Sequence, residues 1–249
     1  MTSALPTIGV LGGMGPAATA DFYGKLVAAT PAERDQDHLP VLIHSVPQIP
    51  DRAAAFLHGE PSPEPMLVEI AQQLERSGAS LIVMPCNTAH LWHGPVAAAV
   101  KVPVLHIVDP VLAALRQAPL FERPLRVGLL GTAATVQSGL YPGRSGADDV
   151  QWLVPDDDEQ AEWVSSGIEA VKAGQMAQAQ LLLSLAARAL VGRGARALVY
   201  ACTEVPLVLS AVDFGVPALD ATQLLADATV AWARAGVERA RPWTAVRRG

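Results

Sequence analysis

The sequence of 249 residues contains two cysteines, Cys86 and Cys202, and their surroundings repeat one design. Cys86 lies in Met84-Pro85-Cys86-Asn87-Thr88-Ala89-His90 and Cys202 in Tyr200-Ala201-Cys202-Thr203-Glu204. Each follows an apolar run, 79–83 and 195–199, and each precedes a segment that reads as a helix start, with Asn87, Thr88 and Thr203 as capping candidates. A strand should therefore deliver each sulfur to a helix N-terminus, where unpaired N–H groups and the helix dipole favour a thiolate. Two such thiols suggest paired acid/base chemistry. A pair of inert, buried cysteines is the plainer alternative.

Other chemistry-bearing patterns are weaker. Cys86 and His90 are spaced i, i+4, as two metal ligands on a helix would be, but nothing near Cys202 completes a metal site. His38, His44, His58, His93 and His106 form no cluster in the sequence. Gly13-x-Gly15-x-x-Ala18 partly matches a dinucleotide fingerprint, yet Ser45 and Val46 end the second strand where an acidic residue belongs. The Gly12-Gly13-Met14-Gly15-Pro16 turn is better read as a place where backbone approaches a small ligand. Arg52 follows the stiff Pro47-Gln48-Ile49-Pro50 loop, where a guanidinium fork can clamp a carboxylate. By pattern alone Lys172 is an ordinary helix lysine.

The elements that must position these residues alternate. Strands are expected at 7–11, 41–46, 79–83 and 102–108, with helices at 17–29 and 66–77. The series restarts with strands at 126–131, 151–155, 195–199 and 216–220 and helices at 162–173 and 175–191. Gly9 and Gly128 are 119 residues apart, Cys86 and Cys202 116, and Val102 and Val216 114, so landmarks recur in the same order at nearly one offset. Asp156-Asp157-Asp158-Glu159 reads as a solvated loop and helix start. Alternating strands and helices predict parallel sheets in two similar α/β lobes, with both cysteines at strand ends facing one cleft.

Composition narrows the class. With 51% hydrophobic and 17% charged residues, the chain has the make-up of a compact α/β protein. A formal charge of −6 argues against nucleic acid and anionic membrane as partners. Neither a signal peptide nor an apolar run of membrane-spanning length is visible, which leads to the expectation of a cytoplasmic protein with free thiols.

These motifs, together with Pro47-Gln48-Ile49-Pro50-Asp51-Arg52 and Glu169-Ala170-Val171-Lys172-Ala173-Gly174, resemble the aspartate/glutamate racemase superfamily, and within it the aspartate racemase branch. The likeness spans nearly the whole chain. It implies two pseudo-symmetric α/β lobes, each a mostly parallel sheet flanked by helices, with the active site in the interlobe cleft. Residues 1–108 and 219–249 would form lobe 1 and 109–218 lobe 2.

It also implies a homodimeric enzyme acting on an acidic amino acid, with neither pyridoxal phosphate nor metal. Cys86 and Cys202 would be bases on opposite faces of the substrate α-carbon. Asn87, Thr88, Thr135 and Thr203 would bind the α-carboxylate and ammonium, with Gly13 and Met14 in the first turn beside them. Arg52 and Lys172 would hold the side-chain carboxylate. Two positions depart from the pattern: Ala201 stands where the family has Gly, its methyl expected to narrow the site, and Val46 precedes Pro47 where related enzymes often have Asn. Rival readings are a maleate isomerase or malonate decarboxylase of the same superfamily, a non-catalytic amino-acid-binding protein, and a dinucleotide-dependent oxidoreductase.

Overall fold

The computed structural model describes residues 5–117, 124–145 and 150–240, so the last nine residues assigned to lobe 1 lie outside the described chain. The first half of the chain runs β1 (Ile8–Gly12), α1 (Pro16–Ala29), β2 (Val41–Ser45), α2 (Arg52–His58), α3 (Glu64–Arg76), β3 (Leu81–Val83), α4 (His93–Ala98) and α5 (Val108–Gln117). The second runs β4 (Leu125–Gly131), α6 (Ala133–Gln137), α7 (Pro142–Ser145), β5 (Val150–Leu153), α8 (Asp157–Glu159), α9 (Ser166–Lys172), α10 (Met176–Gly192), β6 (Ala197–Ala201), α11 (Pro206–Leu209) and β7 (Ala218–Asp220). The closing helix, α12 (Ala221–Ala240), returns to pack against α1 and α5.

Both sheets are parallel, in the order β2-β1-β3 and β5-β4-β6-β7. The repeat seen in the sequence is thus a repeat of topology. Its glycines have a packing reason. A Cβ on Gly9 would lie 3.3 Å from the Leu74 side chain of α3, and one on Gly128 3.1 Å from Leu190 of α10. In each lobe the central strand lacks a side chain where the helix leading to the cysteine strand presses on it. Each sheet then buries one face under that helix and the other in a cluster common to both lobes. Ile8, Val10, Val127, Leu129, Val199 and Leu225 meet in this shared core.

Local signals explain several element starts. Pro16 opens α1, its fixed φ already helical. Asp51 caps α2 through Ala54 N–H at 2.8 Å, so Arg52 is the first helical residue rather than the last loop residue. The acidic run forms a capping box between Asp156 and Glu159. The strand expected at 102–108 is reduced to one bridge, Ile82 to Val104. Leu105 N–H still reaches Ile82 O at 3.1 Å, but beyond it the N–H groups of Ile107 and Val108 turn to the imidazoles of His90 and His106.

Candidate active site

Cys86 and Cys202 emerge at the carboxyl ends of β3 and β6, the strands that flank the central strand of each sheet on the same side. A tight turn at Pro85, closed by Cys86 N–H to Met84 O at 2.8 Å, lifts the first sulfur off its strand. Both thiols line one cavity of about 30 Å³. The first lobe adds Met14, Asp51, Arg52, Asn87 and Thr88 to its wall, and the second adds Thr132, Lys172, Thr203 and Glu204. A space of 30 Å³ has room for only about one water. That space is smaller than an amino acid, so the wall must move to admit one.

Three of the expected placements change. Gly13, with φ of 97°, packs against Val46, where a Cβ would come within 2.4 Å of backbone, and its N–H is bonded to Thr19 Oγ1. It therefore supports the cavity wall from behind. Gly15 plays the more direct part, since a Cβ there would lie 3.3 Å from Glu204 Oε1; the glycine turn makes room for a carboxylate of the other lobe. Ala201 packs its methyl within the shared core, so it does not narrow the cavity. Thr135 stands one shell back, 3.0 Å from Thr88 Oγ1. Together with Thr132 these hydroxyls close a ring across the lobes, Thr88 to Thr132 at 2.9 Å and Thr132 to Thr135 at 3.0 Å.

Neither sulfur is a helix-stabilised thiolate. Cys86 leads into a short 3-10 segment, Thr88–Trp92, in which Asn87 makes no side-chain cap, and Cys202 leads into a turn before the four residues of α11. With exposures of 7% and 5%, the thiols are governed by burial instead. Burial pushes Cys86 up, the neighbouring Arg52 charge and Ala89 N–H pull it back, and the net direction remains upward. Cys202 rises much further, because burial is joined by the Glu204 charge and by a hydrogen bond from Sγ to Glu204 Oε2 at 3.0 Å. The pair is polarised: Cys86 gives up its proton before Cys202.

The donors around the thiols are partly spent. Arg52 donates from Nη1 to Ile49 O at 3.1 Å and Pro50 O at 3.0 Å, while its buried Nε has no partner. Asn87 accepts at Oδ1 from Tyr141 Oη at 2.6 Å, and its Nδ2 is likewise buried without a partner. Asp51 faces the same space. Partial burial pushes its carboxyl upward, but the Ala54 N–H and the Arg52 and Lys172 charges outweigh this and hold it below the usual range. The wall thus has unfilled donors and two cations, the constellation suited to an anionic ligand.

His90 fixes this loop from behind. Its Nδ1 lies 2.8 Å from Cys86 O, and its Nε2 accepts the Ile107 N–H at 3.1 Å, which makes Nδ1 the protonated nitrogen. The sequence showed no histidine cluster; in the fold the rings of His90, His93 and His106 lie 4.7 to 5.8 Å apart. Their ring nitrogens serve backbone groups, and among the described residues no three or more His, Cys, Asp or Glu side chains are grouped to hold a metal.

Burial, with the His93 and Arg144 charges adding to it, lowers His90 to about 4 from 6.5. The folded protein refuses a proton that the unfolded chain accepts, so stability should fall as pH drops from 6.5 to 4. The loss expected is on the order of 3 kcal/mol. Urea unfolding followed across this window checks it, and His90→Gln should remove this share of the dependence while leaving that of His106, which burial lowers in the same direction to about 2. A flat profile in the unsubstituted protein would contradict the assignment.

A two-lobed α/β protein that presents one thiol from each lobe to a cation-lined cleft is arranged to hold an anionic ligand between two thiols. This chain belongs to the Asp/Glu/hydantoin racemase family, whose sequence model matches residues 11–229. It is an amino-acid racemase of that superfamily. It is similar to the aspartate racemase of Picrophilus torridus, with 32% identity, a TM-score of 0.82 and coverage of 92% of this chain and 94% of that one. It is 29% identical over 227 residues to the broad-specificity amino-acid racemase RacX of Bacillus subtilis, covering 90% and 96% of the two chains. The glutamate racemase of Thermus thermophilus, solved with β-chloro-D-alanine, matches at a TM-score of 0.63 and 26% identity over 93% of this chain and 81% of that one. Among the described residues no helix is long and apolar enough to cross a membrane.

Proposed function

We propose that the protein interconverts L- and D-aspartate without a cofactor, using Cys86 and Cys202 as the two proton-transfer groups. The observation that carries this reading is the pair of thiols brought from opposite lobes into one cavity. Racemisation needs a base on one face of the α-carbon and an acid on the other, because a single group tends to return the proton it took. In one direction the Cys86 thiolate removes the α-proton and the Cys202 thiol delivers its own to the opposite face; in the other direction the roles exchange. In the resting pair burial raises both thiols, Cys202 much further because of Glu204, so Cys86 is the easier to ionise and the first of these directions is the one it favours.

The α-proton is a very weak acid, so the charge left on the substrate must be met by fixed donors in a dry space. The unpartnered Asn87 Nδ2 and Arg52 Nε are available for this, whereas the hydroxyl of Thr88 would first have to leave Thr132 and Thr135, and that of Thr203 would have to leave Glu204 Oε2. Arg52 and Lys172 would hold the side-chain carboxylate, and Asp51 lies close enough to both to keep them in place. Closure of the lobes would exclude water.

The test is a chiral assay of purified protein against aspartate, glutamate and alanine, without pyridoxal phosphate. Aspartate should be racemised fastest. Similar rates on all three would favour a broad specificity like that named for the Bacillus subtilis relative. No turnover of any amino acid would overturn the reading.

A further inference from the structure

The contact between Tyr141 and Asn87 joins the two lobes at the cavity. Tyr141, at the turn between α6 and α7, is fully buried, its ring edge-on to Trp152 with centroids 5.4 Å apart. Burial, reinforced by Asp220 and Cys202, holds the phenol neutral, so its O–H stays a donor. That proton goes to Asn87 Oδ1 at 2.6 Å, across 54 residues of sequence.

A carboxamide has two unlike ends of nearly equal shape, and only its partners decide which end points where. Asn87 is 2% exposed and lines the cavity, and with Oδ1 taken the free end is the N–H2 group, buried and without a partner. Were the amide reversed, its oxygen would confront the carboxylate of the substrate and repel it.

We propose that Tyr141 is a positioning residue, whose hydroxyl locks the Asn87 carboxamide with its N–H2 turned into the cavity to meet charge growing on the substrate carboxylate. This rests on the racemase reading above. Because the carboxylate gains charge only as the α-proton leaves, loss of the lock should appear in kcat rather than KM.

The experiment compares the unsubstituted protein with Tyr141→Phe, Asn87→Ala, Asn87→Asp and the Tyr141→Phe/Asn87→Ala pair, measuring kcat and KM for L-aspartate beside thermal melts. Tyr141→Phe keeps the ring and should lower kcat about tenfold, with KM changed less than about threefold. Asn87→Ala should cost about a hundredfold, and adding Tyr141→Phe to it should cost nothing more. Asn87→Asp leaves the core untouched, keeps an oxygen for Tyr141 and removes the donor, so it should fall at least as far as Asn87→Ala. It keeps the test readable should Tyr141→Phe unfold.

A folded Tyr141→Phe with kcat within about twofold, or losses that multiply in the double variant, would overturn the inference while leaving the racemase reading intact. So would an Asn87→Asp variant of undiminished kcat. An unsubstituted protein that leaves aspartate unchanged would overturn the racemase reading first and the inference with it.

Discussion

Replacing either cysteine by serine is expected to lower aspartate racemisation by about a thousandfold or more, since each removes one of two proton-transfer groups that no neighbour replaces. The hydroxyl is a far weaker acid than the thiol, and in this buried cavity it stays protonated. The two variants should nevertheless differ. Cys202→Ser retains Cys86 beside the Arg52 charge, so the α-proton of one enantiomer should still exchange with solvent without inversion. Cys86→Ser retains only Cys202, whose ionisation is opposed by burial and by Glu204, and its one-sided exchange should be slower. Measuring racemisation and α-proton exchange in both variants checks this. Full racemisation by either one would remove that cysteine from the mechanism.

Arg52→Ala is expected to cost about a hundredfold to a thousandfold in kcat/KM for aspartate, the range for removing one partner of a desolvated charge pair. It should cost alanine much less, because alanine has no side-chain carboxylate. A second effect follows from the electrostatics. Arg52 pulls the Cys86 pKa down, so its loss should move the acid limb of the pH–rate profile to higher pH. Arg52→Lys separates the two parts: it keeps the charge and so the profile, but loses the fork that also bonds Ile49 O and Pro50 O. Equal losses on aspartate and alanine would remove Arg52 from substrate choice.

Much of the fold was legible in the sequence because its repeat is built from strand-and-helix units with local punctuation. Gly9, Gly128 and Pro16 are short-range signals, and the structure gives each a packing or helix-start reason. The strand expected at 102–108 could not be judged locally, since the N–H of Ile107 is taken by the imidazole of His90, 17 residues away, while His106 takes that of Val108. The thiolate expectation failed for a related reason. It required regular helices after the cysteines, and the 3-10 turn and short α11 that follow leave burial in control.

Within the site, residue patterns singled out Cys86, Cys202 and Arg52, the family resemblance added Met14, Asn87, Thr88, Lys172 and Thr203, and all of them line one cavity. Neither assigned a role to Glu204, although that residue stands two positions from Cys202 in a motif already noted. An acidic side chain in a turn ordinarily points to solvent, and nothing local says that Gly15 of the other lobe opens a space for it. Thr132 and Tyr141 were missed because their partners, Thr88 and Asn87, lie across the lobe boundary. The histidine cluster has the same origin: three rings become neighbours only when the segment after Val104 folds back on the cysteine loop.

The central claim is that two thiols act on opposite faces of one carbon, and the first turnovers in deuterated buffer test it most directly. Protein incubated with L-aspartate and quenched after a few per cent conversion should yield D-aspartate that carries deuterium at Cα, while the recovered L-aspartate remains protiated. That pattern requires one group to take the proton and a different, solvent-equilibrated group to deliver its replacement. Deuterium appearing equally early in recovered L-aspartate, or D-aspartate formed with its original proton, would mean that a single group does both and would contradict the account.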